Sequence, residues 1–292
     1  MKVLLTGGRG QLGQALQACL PASIELLAPD RSALDITEPA RLERWLNEQR
    51  PDLVINCAAY TQVDHAESDP QAAEATNHTA VRMLAELAAQ MGVRVLHIST
   101  DYVFDGRANR PYSVTANCAP QTVYGATKLR GEQALLDALS GRATVVRTSW
   151  LYAAVGQNFL LTMLRLMADR KDLAVVVDQV STPTHCLGLA KFLWWAAQET
   201  ALPPVLHWAD AGVASWYDFA TAIAEEAGRL GLLTDSVALR PIASEEYPQA
   251  APRPAYSVLD TSSSYRLSAL APIHWREGLR KTLVQYQLSL EE

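Results

Sequence analysis

The chain has 292 residues, of which 49% are hydrophobic and 19% are charged, which is enough apolar chain for a large buried core. The formal net charge is -6, and no run of lysine or arginine is present. This charge pattern argues against nucleic acid or an anionic membrane surface as a partner.

The first half of the chain alternates short apolar runs with segments of helical periodicity. The apolar runs are predicted strands, at residues 3–6, 24–28, 53–57, 93–98 and 143–147. The predicted helices are at residues 11–20, 41–49 and 70–91. This alternation predicts an α/β fold with a doubly wound, Rossmann-like parallel sheet that is covered by helices on both faces.

The pattern becomes less regular after Trp150. Helices are predicted at residues 159–167, 187–198 and 216–230, and strands at residues 173–177 and 205–208. We therefore expect two parts, residues 1–150 and residues 151–292, of which the second is mainly a smaller α/β lobe. The boundary between them is soft because segments of the two parts are expected to interleave. The Trp194-Trp195 pair is expected to pack within the second part, with a contact to a second subunit as the alternative.

The four cysteines, at positions 19, 57, 118 and 186, are far apart and form no C-x-x-C pair. They are expected to be free thiols and not a disulfide framework or a zinc site. The start of the sequence has no signal-peptide pattern, and no apolar stretch reaches the roughly 18 residues that a membrane span needs. These features predict a cytoplasmic protein without a membrane partner.

A glycine-rich loop follows the first predicted strand and opens the first predicted helix. Gly7, Gly10 and Gly13 have the spacing T-G-x-x-G-x-x-G. Gly7 permits the tight turn, Gly10 lets the backbone approach a pyrophosphate, and Gly13 lets the helix pack on the strand. Because the helix N-terminus also favours phosphate, this loop predicts a dinucleotide-binding part in residues 1–150 and a substrate-binding lobe in residues 151–292.

Charged residues after the second predicted strand are candidates for the adenosine end of that dinucleotide. Asp30 is placed to bind ribose hydroxyls, whereas Arg31 suits a 2′-phosphate, so NADH and NADPH both remain open. Asp35 and Ile36 are candidate adenine contacts, by hydrogen bonding and by packing respectively. Asp35 is equally well explained as a helix cap, because Pro39 signals the start of a helix.

Tyr124 and Lys128 are four residues apart and share one face of a predicted helix. An ammonium group near a phenol lowers the pKa of the phenol from about 10 toward working pH, as general acid/base catalysis requires. Upstream, Thr100 ends the fourth predicted strand, at the edge where ligands bind in open parallel sheets. The hydroxyls of Thr100 and Tyr124 could therefore stabilise the negative charge that hydride addition builds on a carbonyl oxygen.

Six segments that spread over most of the chain resemble one enzyme family. They are residues 6–13, 56–64, 99–106, 124–128, 147–150 and 253–254. The block Ser-Thr-Asp-Tyr-Val-Phe at residues 99–104 is the most specific of them. The chain resembles an extended short-chain dehydrogenase/reductase and, more narrowly, the dTDP-4-dehydrorhamnose reductases.

The resemblance implies an activity, a cofactor and a set of contacts. The activity is the reduction of the C4 keto group of dTDP-4-dehydro-L-rhamnose to dTDP-L-rhamnose, with NADPH or NADH as cofactor and Tyr124 as proton donor. The implied cofactor contacts are Gly10, Gln11, Leu12, Asp30, Asp35, Ile36, Ala59, Tyr60, Thr61 and Ile98, and Lys128 could also bind the nicotinamide ribose. The implied substrate contacts are Thr100, Asp101 and Trp150.

Arg253 lies in a proline-rich loop of the smaller lobe and is a candidate partner for the diphosphate of the substrate. Asp64, His65 and Glu67 are interpreted as a solvated loop, and His97 as a buried histidine with its hydrogen bonds satisfied, so no metal site is predicted. Some members of the family are magnesium-linked dimers. The sequence has no carboxylate cluster that predicts such a dimer, and a homodimer remains possible.

Two other functions remain open. Dehydratases of this superfamily usually carry Asp-Glu after the strand-end threonine, whereas Thr100 is followed by Asp101 and Tyr102. This difference favours net reduction over dehydration or epimerisation. The other alternative is a non-catalytic NADP-binding regulatory subunit, as known for a relative that serves methionine adenosyltransferase. The intact Tyr124/Lys128 pair favours catalysis.

Overall fold

The computed structural model describes residues 1–291 of the chain. In chain order the strands are β1 (Lys2–Thr6), β2 (Glu25–Leu27), β3 (Leu53–Asn56), β4 (Arg94–Thr100), β5 (Ala143–Thr148), β6 (Leu151–Tyr152), β7 (Asp172–Val176), β8 (Val180–Ser181), β9 (Thr184–His185), β10 (Val205–His207), β11 (Ala214–Ser215) and β12 (Ala238–Ile242). The helices are α1 (Gln11–Ala18), α2 (Pro39–Gln49), α3 (Val63–Ser68), α4 (Pro70–Glu74), α5 (Ala80–Met91), α6 (Val123–Ala138), α7 (Phe159–Asp169), α8 (Cys186–Gln198), α9 (Trp216–Arg229), α10 (Ser262–Ser268) and α11 (Trp275–Ser289).

Six parallel strands form the main sheet, in the order β10-β5-β4-β3-β1-β2. The chain leaves β1 toward β2 on one side and later returns to β3 on the other. The strand order therefore reverses at β1, and the carboxyl ends of β1, β3 and β4 border the crevice where such sheets bind ligands. The doubly wound parallel sheet predicted from the sequence is confirmed.

Helices cover both faces of this sheet. On one face, α1 and α8 pack together over a core that includes Leu16, Leu189 and Phe192. On the other face, α2, α5 and α6 bury leucine and valine side chains against the strands. The expectation for the Trp194-Trp195 pair was wrong in part, because the indole N–H of Trp194 donates to the Leu16 carbonyl of α1 at 2.9 Å. Trp194 thus joins α8 to the glycine-loop helix.

A smaller lobe packs beside the carboxyl edge of the sheet. It contains three two-stranded pairs, β7 with β12, β8 with β11 and β6 with β9. Helices α7, α9 and α11 pack against them around Phe219, Ile223 and Leu279. Strand β10 comes after this lobe has begun but completes the main sheet beside β5. The two parts of the fold therefore interleave along the chain.

Two segments differ from the sequence prediction in a way that affects the site. Residues 64–67 lie in helix α3 and not in a solvated loop, and the Asp64 and Glu67 carboxylates accept hydrogen bonds from the backbone N–H groups of Ala251 and Val123. The predicted helix at residues 70–91 is interrupted by a π-helical turn at Ala75–Thr79. Within residues 1–291, no helix is long and apolar enough to cross a membrane.

Candidate active site

A cavity of about 790 Å³ opens at the carboxyl ends of β1, β3 and β4. Its size is in the range of cavities that bind small molecules. Residues from strand ends, from the glycine loop and from the smaller lobe line it. The residues predicted for the cofactor all lie along this lining: Gly7, Gly10, Gln11, Leu12, Gly13, Asp30, Arg31, Asp35, Ile36, Ala59, Tyr60, Thr61, Ile98, Tyr124 and Lys128. Thr100, Asp101 and Trp150 line it too, whereas Arg253 does not.

The glycine loop is shaped by two glycines that no other residue could replace without displacing the backbone. Gly7 has φ +71°, and a Cβ there would lie 2.7 Å from the Ala58 nitrogen. A Cβ on Gly13 would lie 2.3 Å from the Gly7 carbonyl oxygen. Gly10 precedes the first residue of α1 and donates its N–H to that same carbonyl at 2.9 Å. The N-terminus of α1 thus faces the cavity and can bind a phosphate group.

The rim after β2 carries two ion pairs. The Arg9 guanidinium contacts the Asp30 carboxylate at 2.6 Å, and Arg31 contacts Asp35 at 2.8 Å. Both arginine side chains are 82% exposed, so each can turn toward an anion in the cavity. Asp35 also accepts the backbone N–H of Thr37 at 2.9 Å, which is an Asx turn and not a helix cap, because the N-cap of α2 is Glu38. The structure therefore brings the predicted adenosine residues to one rim.

The loop after β3 is held by a side chain from the π-helical turn. Asn77 is fully buried, its amide oxygen accepts the Tyr60 N–H at 2.8 Å, and its amide nitrogen donates to the Tyr60 carbonyl at 3.0 Å. The amide nitrogen also lies 3.2 Å from the hydroxyl of Thr127 in α6. The π turn therefore places one residue that links this loop to the tyrosine helix, in keeping with the frequent occurrence of such turns at functional sites.

Helix α6 presents Tyr124 to the cavity from its first turn. Thr122 caps the helix by accepting the Gly125 N–H at 3.0 Å. A Cβ on Gly125 would lie 2.2 Å from the Tyr102 carbonyl oxygen, so glycine lets α6 approach the segment after β4. Burial raises the pKa of Tyr124 to about 12, and the Thr100 hydroxyl only partly opposes this shift.

The direction of that shift is opposite to the sequence prediction, in which Lys128 lowers the pKa of Tyr124. The Lys128 ammonium is buried and donates to the Ile98 carbonyl at 2.6 Å, and it lies 3.2 Å from Nε2 of His97. Burial in turn lowers the pKa of Lys128 to about 8. Removal from water thus has the larger effect on both groups.

His97 is a buried histidine with both ring nitrogens in hydrogen bonds, as predicted. Its Nδ1 lies 3.0 Å from the amide nitrogen of Asn56, which is also fully buried. The role of Asn56 was not predicted. The signal was available, because Asn56 and His97 are polar residues within two adjacent apolar strands.

Thr100 and Asp101 form the floor between the two parts of the fold. The Thr100 hydroxyl donates to Asp101 at 3.1 Å, and Asp101 also accepts the Ser257 hydroxyl at 2.5 Å and the Ser181 hydroxyl at 3.4 Å. Burial raises the pKa of Asp101 to about 6. Asp101 was predicted to accept from sugar hydroxyls, but its carboxylate joins β4 to Ser181 of β8 and to Ser257 in the loop before α10.

Two stacked indole rings line the side of the cavity that belongs to the smaller lobe. Trp150 has φ +44°, and its ring lies 3.4 Å from that of Trp216 with an angle of 7° between the planes. The indole N–H of Trp216 donates to Gln179 at 3.1 Å, and Phe159 contacts its ring from the side. Trp216 is a cavity residue that sequence reasoning missed.

Arg253 is held outside the cavity lining by an ion pair. Its guanidinium binds both carboxylate oxygens of Asp64, at 2.5 Å and 3.2 Å, and it donates to the Ala251 carbonyl at 3.2 Å. The structure therefore places Arg253 with α3 and not among the other predicted substrate residues. Tyr102 does line the cavity. Burial raises the pKa of Tyr102, and the nearby positive charge of Arg253 partly opposes this rise.

Two buried hydroxyls that line the cavity have no hydrogen-bond partner among residues 1–291. They are the side chains of Ser99 in β4 and Thr148 in β5. A buried hydroxyl without a partner is unfavourable, so these groups favour a polar ligand. Together with the N-terminus of α1, which faces the same cavity, they fit a polar dinucleotide. Across the described part of the chain, no group of three or more His, Cys, Asp or Glu side chains could hold a metal ion, and the four cysteines are free.

A glycine loop, a strand-end threonine and a Tyr/Lys helix that face one cavity of a doubly wound sheet define the short-chain dehydrogenase/reductase class of protein. A family model described as the RmlD substrate binding domain matches residues 1–288. The chain belongs to this family.

Curated and solved relatives agree with this assignment. The dTDP-4-dehydrorhamnose reductase of Mycobacterium tuberculosis is 42% identical over 289 residues, which cover 97% of this chain and 92% of that protein. The crystal structure of a dTDP-4-dehydrorhamnose reductase from Clostridium acetobutylicum has a TM-score of 0.92 and 38% identity, and covers 98% of this chain and 100% of its own. The Bacillus anthracis dTDP-4-dehydrorhamnose reductase, solved with NADP, has a TM-score of 0.91 and 35% identity over 97% and 99% of the two chains.

Proposed function

We propose that this protein reduces the C4 keto group of dTDP-4-dehydro-L-rhamnose to give dTDP-L-rhamnose, with NADPH as the reductant. One observation carries the proposal. Thr100, Tyr124 and Lys128 converge on the cavity that also contains the glycine loop. A carbonyl that lay above the nicotinamide would therefore face two hydroxyl donors. The relatives named above are reductases of this sugar nucleotide, and one was solved with NADP.

The residues around the glycine loop would hold the cofactor, which supplies the hydride when it is bound. Backbone N–H groups at the start of α1 would bind the diphosphate. Arg9 and Arg31 are exposed cations beside the predicted adenosine rim, so they favour NADPH, which carries an additional phosphate there. Lys128 would bind the nicotinamide ribose.

Tyr124 is proposed to donate the proton to the C4 oxygen. Since burial raises the pKa of Tyr124 to about 12, the phenol keeps its proton at any working pH and is ready to act as an acid. Negative charge develops on the carbonyl oxygen as hydride arrives, and a donor placed there stabilises the transition state more than the ground state. The Thr100 hydroxyl would turn from Asp101 to this oxygen as the second donor.

The stacked indoles are proposed to bind the sugar nucleotide. Trp150 lies beside the floor formed by Thr100 and offers an apolar face suited to the C–H groups of a sugar ring. Trp216 stacks on it from the smaller lobe. Gln179 and Phe159 hold the Trp216 ring in place behind Trp150.

Buried Asp101 bears on the alternatives. A dehydratase needs a carboxylic acid that is free to reach the substrate, whereas Asp101 accepts three hydroxyls from the protein. This arrangement favours net reduction.

One assay separates the three functions. We would mix the protein with NADPH and dTDP-4-dehydro-L-rhamnose and follow the absorbance of the reduced nicotinamide. Stoichiometric oxidation supports the reductase, turnover without net oxidation supports an epimerase or dehydratase, and cofactor binding without turnover supports a regulatory subunit.

The rate of reduction is expected to fall as pH rises through the pKa of Lys128, which burial lowers to about 8. The ammonium form stabilises the phenolate that Tyr124 becomes, and this form is lost above that pH. Tyr124 itself stays protonated, since its pKa is about 12. A profile of kcat from about pH 6 to about pH 10 should therefore show one proton lost near pH 8. A kcat that stays level across this range would contradict the role of Lys128.

The Arg253→Ala substitution tests whether this arginine also binds the substrate diphosphate. Loss of a charge-assisted contact should raise KM for the sugar nucleotide about 10- to 100-fold and leave the affinity for NADPH unchanged. The matched control is Asp64→Asn, which breaks the same ion pair but keeps the cation. An unchanged KM in Arg253→Ala, or an equal rise in Asp64→Asn, would show that the pair is only structural.

A further inference from the structure

A line of buried polar side chains crosses three strands directly beneath the cavity. Thr6, Asn56 and His97 occupy matched positions on β1, β3 and β4. Their side chains are joined in series, with the Thr6 hydroxyl 2.6 Å from Asn56 Oδ1, Asn56 Nδ2 3.0 Å from His97 Nδ1, and His97 Nε2 3.2 Å from Lys128 Nζ. Such a series fixes which atom of each side chain donates and which accepts.

The orientation of the Asn56 amide is set by a backbone group. The Ala58 N–H, which can only donate, lies 3.2 Å from Asn56 Oδ1. The amide nitrogen must then face His97, and it too can only donate. Nδ1 of His97 is therefore the acceptor. Burial and the Lys128 charge hold the pKa of His97 well below its ordinary value, so the ring is neutral and its single proton is on Nε2.

We propose that His97 is a positioning residue that presents its Nε2–H to Lys128 Nζ and thereby favours the neutral amine form of this lysine. An ammonium group at Nζ would set two N–H donors against each other across 3.2 Å. An amine has a lone pair that accepts the Nε2–H and still donates to the Ile98 carbonyl, 2.6 Å away.

The other ionisable groups around Nζ favour the ammonium form of Lys128 and therefore oppose His97. Glu132, one turn further along α6, and Cys57, after β3, both raise the pKa of Lys128, and Glu132 shares its charge with Arg147 at 2.6 Å. Tyr124 lies one turn earlier on the same helix. Against these groups, burial lowers the pKa of Lys128 to about 8, and the His97 donor acts in the same direction as burial.

This inference rests on the proposed function for its role in catalysis. After Tyr124 has given up its proton it is a phenolate. One N–H bond of the Lys128 ammonium then breaks, a water between the two groups takes this proton and gives one of its own to the phenolate, and the O–H bond of the phenol forms again. The electron pair stays on Nζ, where it accepts the His97 N–H, and water later returns a proton to the amine. By stabilising the amine, His97 makes Lys128 a stronger acid and eases the recovery of Tyr124.

The tautomer of His97 can be observed in the parent protein without substrate. The chain has six histidines, few enough for their ring nitrogens to be resolved after ¹⁵N labelling. We expect His97 to show a protonated Nε2 and an unprotonated Nδ1 at neutral pH. A proton on Nδ1 would overturn the proposal, whatever the enzymatic activity turns out to be.

The second experiment measures Lys128 directly. The chain has five lysines, so ¹³Cε labelling gives five signals. The signal that is missing in Lys128→Arg belongs to Lys128. The His97→Met substitution removes the N–H that faces Nζ and leaves a thioether sulfur, which can only accept. We expect the titration midpoint of Lys128 to rise by about one pH unit or more, which is about tenfold in acidity. An unchanged or lower midpoint would overturn the proposal.

The matched control is His207→Met, which alters another fully buried histidine, on β10, that has no contact with Lys128 among the hydrogen bonds of residues 1–291. Its Lys128 midpoint should equal that of the parent. If His97→Met does not fold, the tautomer in the parent protein decides the question alone. Both measurements, the His97 tautomer and the Lys128 midpoint, use protein without ligand. They can therefore fail or succeed independently of the reductase assignment.

Discussion

The Tyr124→Phe variant is expected to lose about 100- to 10,000-fold in kcat for the keto-sugar, the usual contribution of a general acid. The substitution removes only the hydroxyl, and the ring keeps its edge-to-face contact with Tyr102 at 5.7 Å. The affinity for NADPH should be close to that of the parent, because the glycine loop is unaffected. Steady-state kinetics together with a cofactor titration measure both quantities.

The control is Tyr102→Phe, which removes the neighbouring phenol in the same cavity. Tyr102 follows β4 and is not on the lysine helix, so its loss should affect kcat much less. If Tyr102→Phe lost the larger factor, or if Tyr124→Phe reduced the sugar at the parent rate, Tyr124 would not be the acid.

The Gly13→Ala variant should weaken NADPH binding about 10- to 100-fold, which corresponds to about 1–3 kcal/mol of forced rearrangement. A Cβ at this position would lie 2.3 Å from the Gly7 carbonyl oxygen and 2.6 Å from the Gly8 Cα. Since these are backbone atoms, the whole loop must shift away from α1. Isothermal titration with NADPH gives the dissociation constant of each variant.

A matched substitution separates this effect from a general effect of alanine. Gly228 lies within α9, and no described atom is within 4 Å of the Cβ that alanine would add there. Gly228→Ala should stabilise the helix by about 1 kcal/mol and leave cofactor binding unchanged. A Gly13→Ala protein that bound NADPH as tightly as Gly228→Ala would show that the loop does not hold the dinucleotide.

The fold and most of the cavity could be predicted because they depend on the order of local signals. The glycine loop, Thr100 at a strand end and the Tyr124/Lys128 helix each follow from a few neighbouring residues. In a parallel sheet the carboxyl ends of the strands meet at one edge, which brings these signals together without further information. All of them line the same cavity.

The remainder depended on packing that no local pattern specifies. Trp216 reaches Trp150 only because two-residue strands β8 and β11 pair in antiparallel fashion just before α9. The direction of the Tyr124 pKa shift depends on how deeply α6 is buried, and a spacing of four residues says nothing about that depth. Asp101 and Arg253 were predicted to bind the substrate. Each instead binds a protein side chain that is far away in the sequence, Ser257 and Asp64 respectively.

Buried polar residues within strands were the signal that deserved more weight. Asn56 and His97 interrupt apolar runs, and such residues need partners in the core. Their partners prove to be each other and Lys128. A buried network beneath a cavity therefore connects sheet packing with the chemistry proposed above it.

The most direct test of the reductase assignment follows the transferred hydrogen. Supplied with NADPH that carries two deuterium atoms at C4 of the nicotinamide and with dTDP-4-dehydro-L-rhamnose, the protein should give dTDP-L-rhamnose with one deuterium at C4 of the sugar. Mass spectrometry and proton NMR of the product locate the label. A product without deuterium at that carbon, or no product while NADPH stays bound, would contradict hydride transfer to a nucleotide keto-sugar.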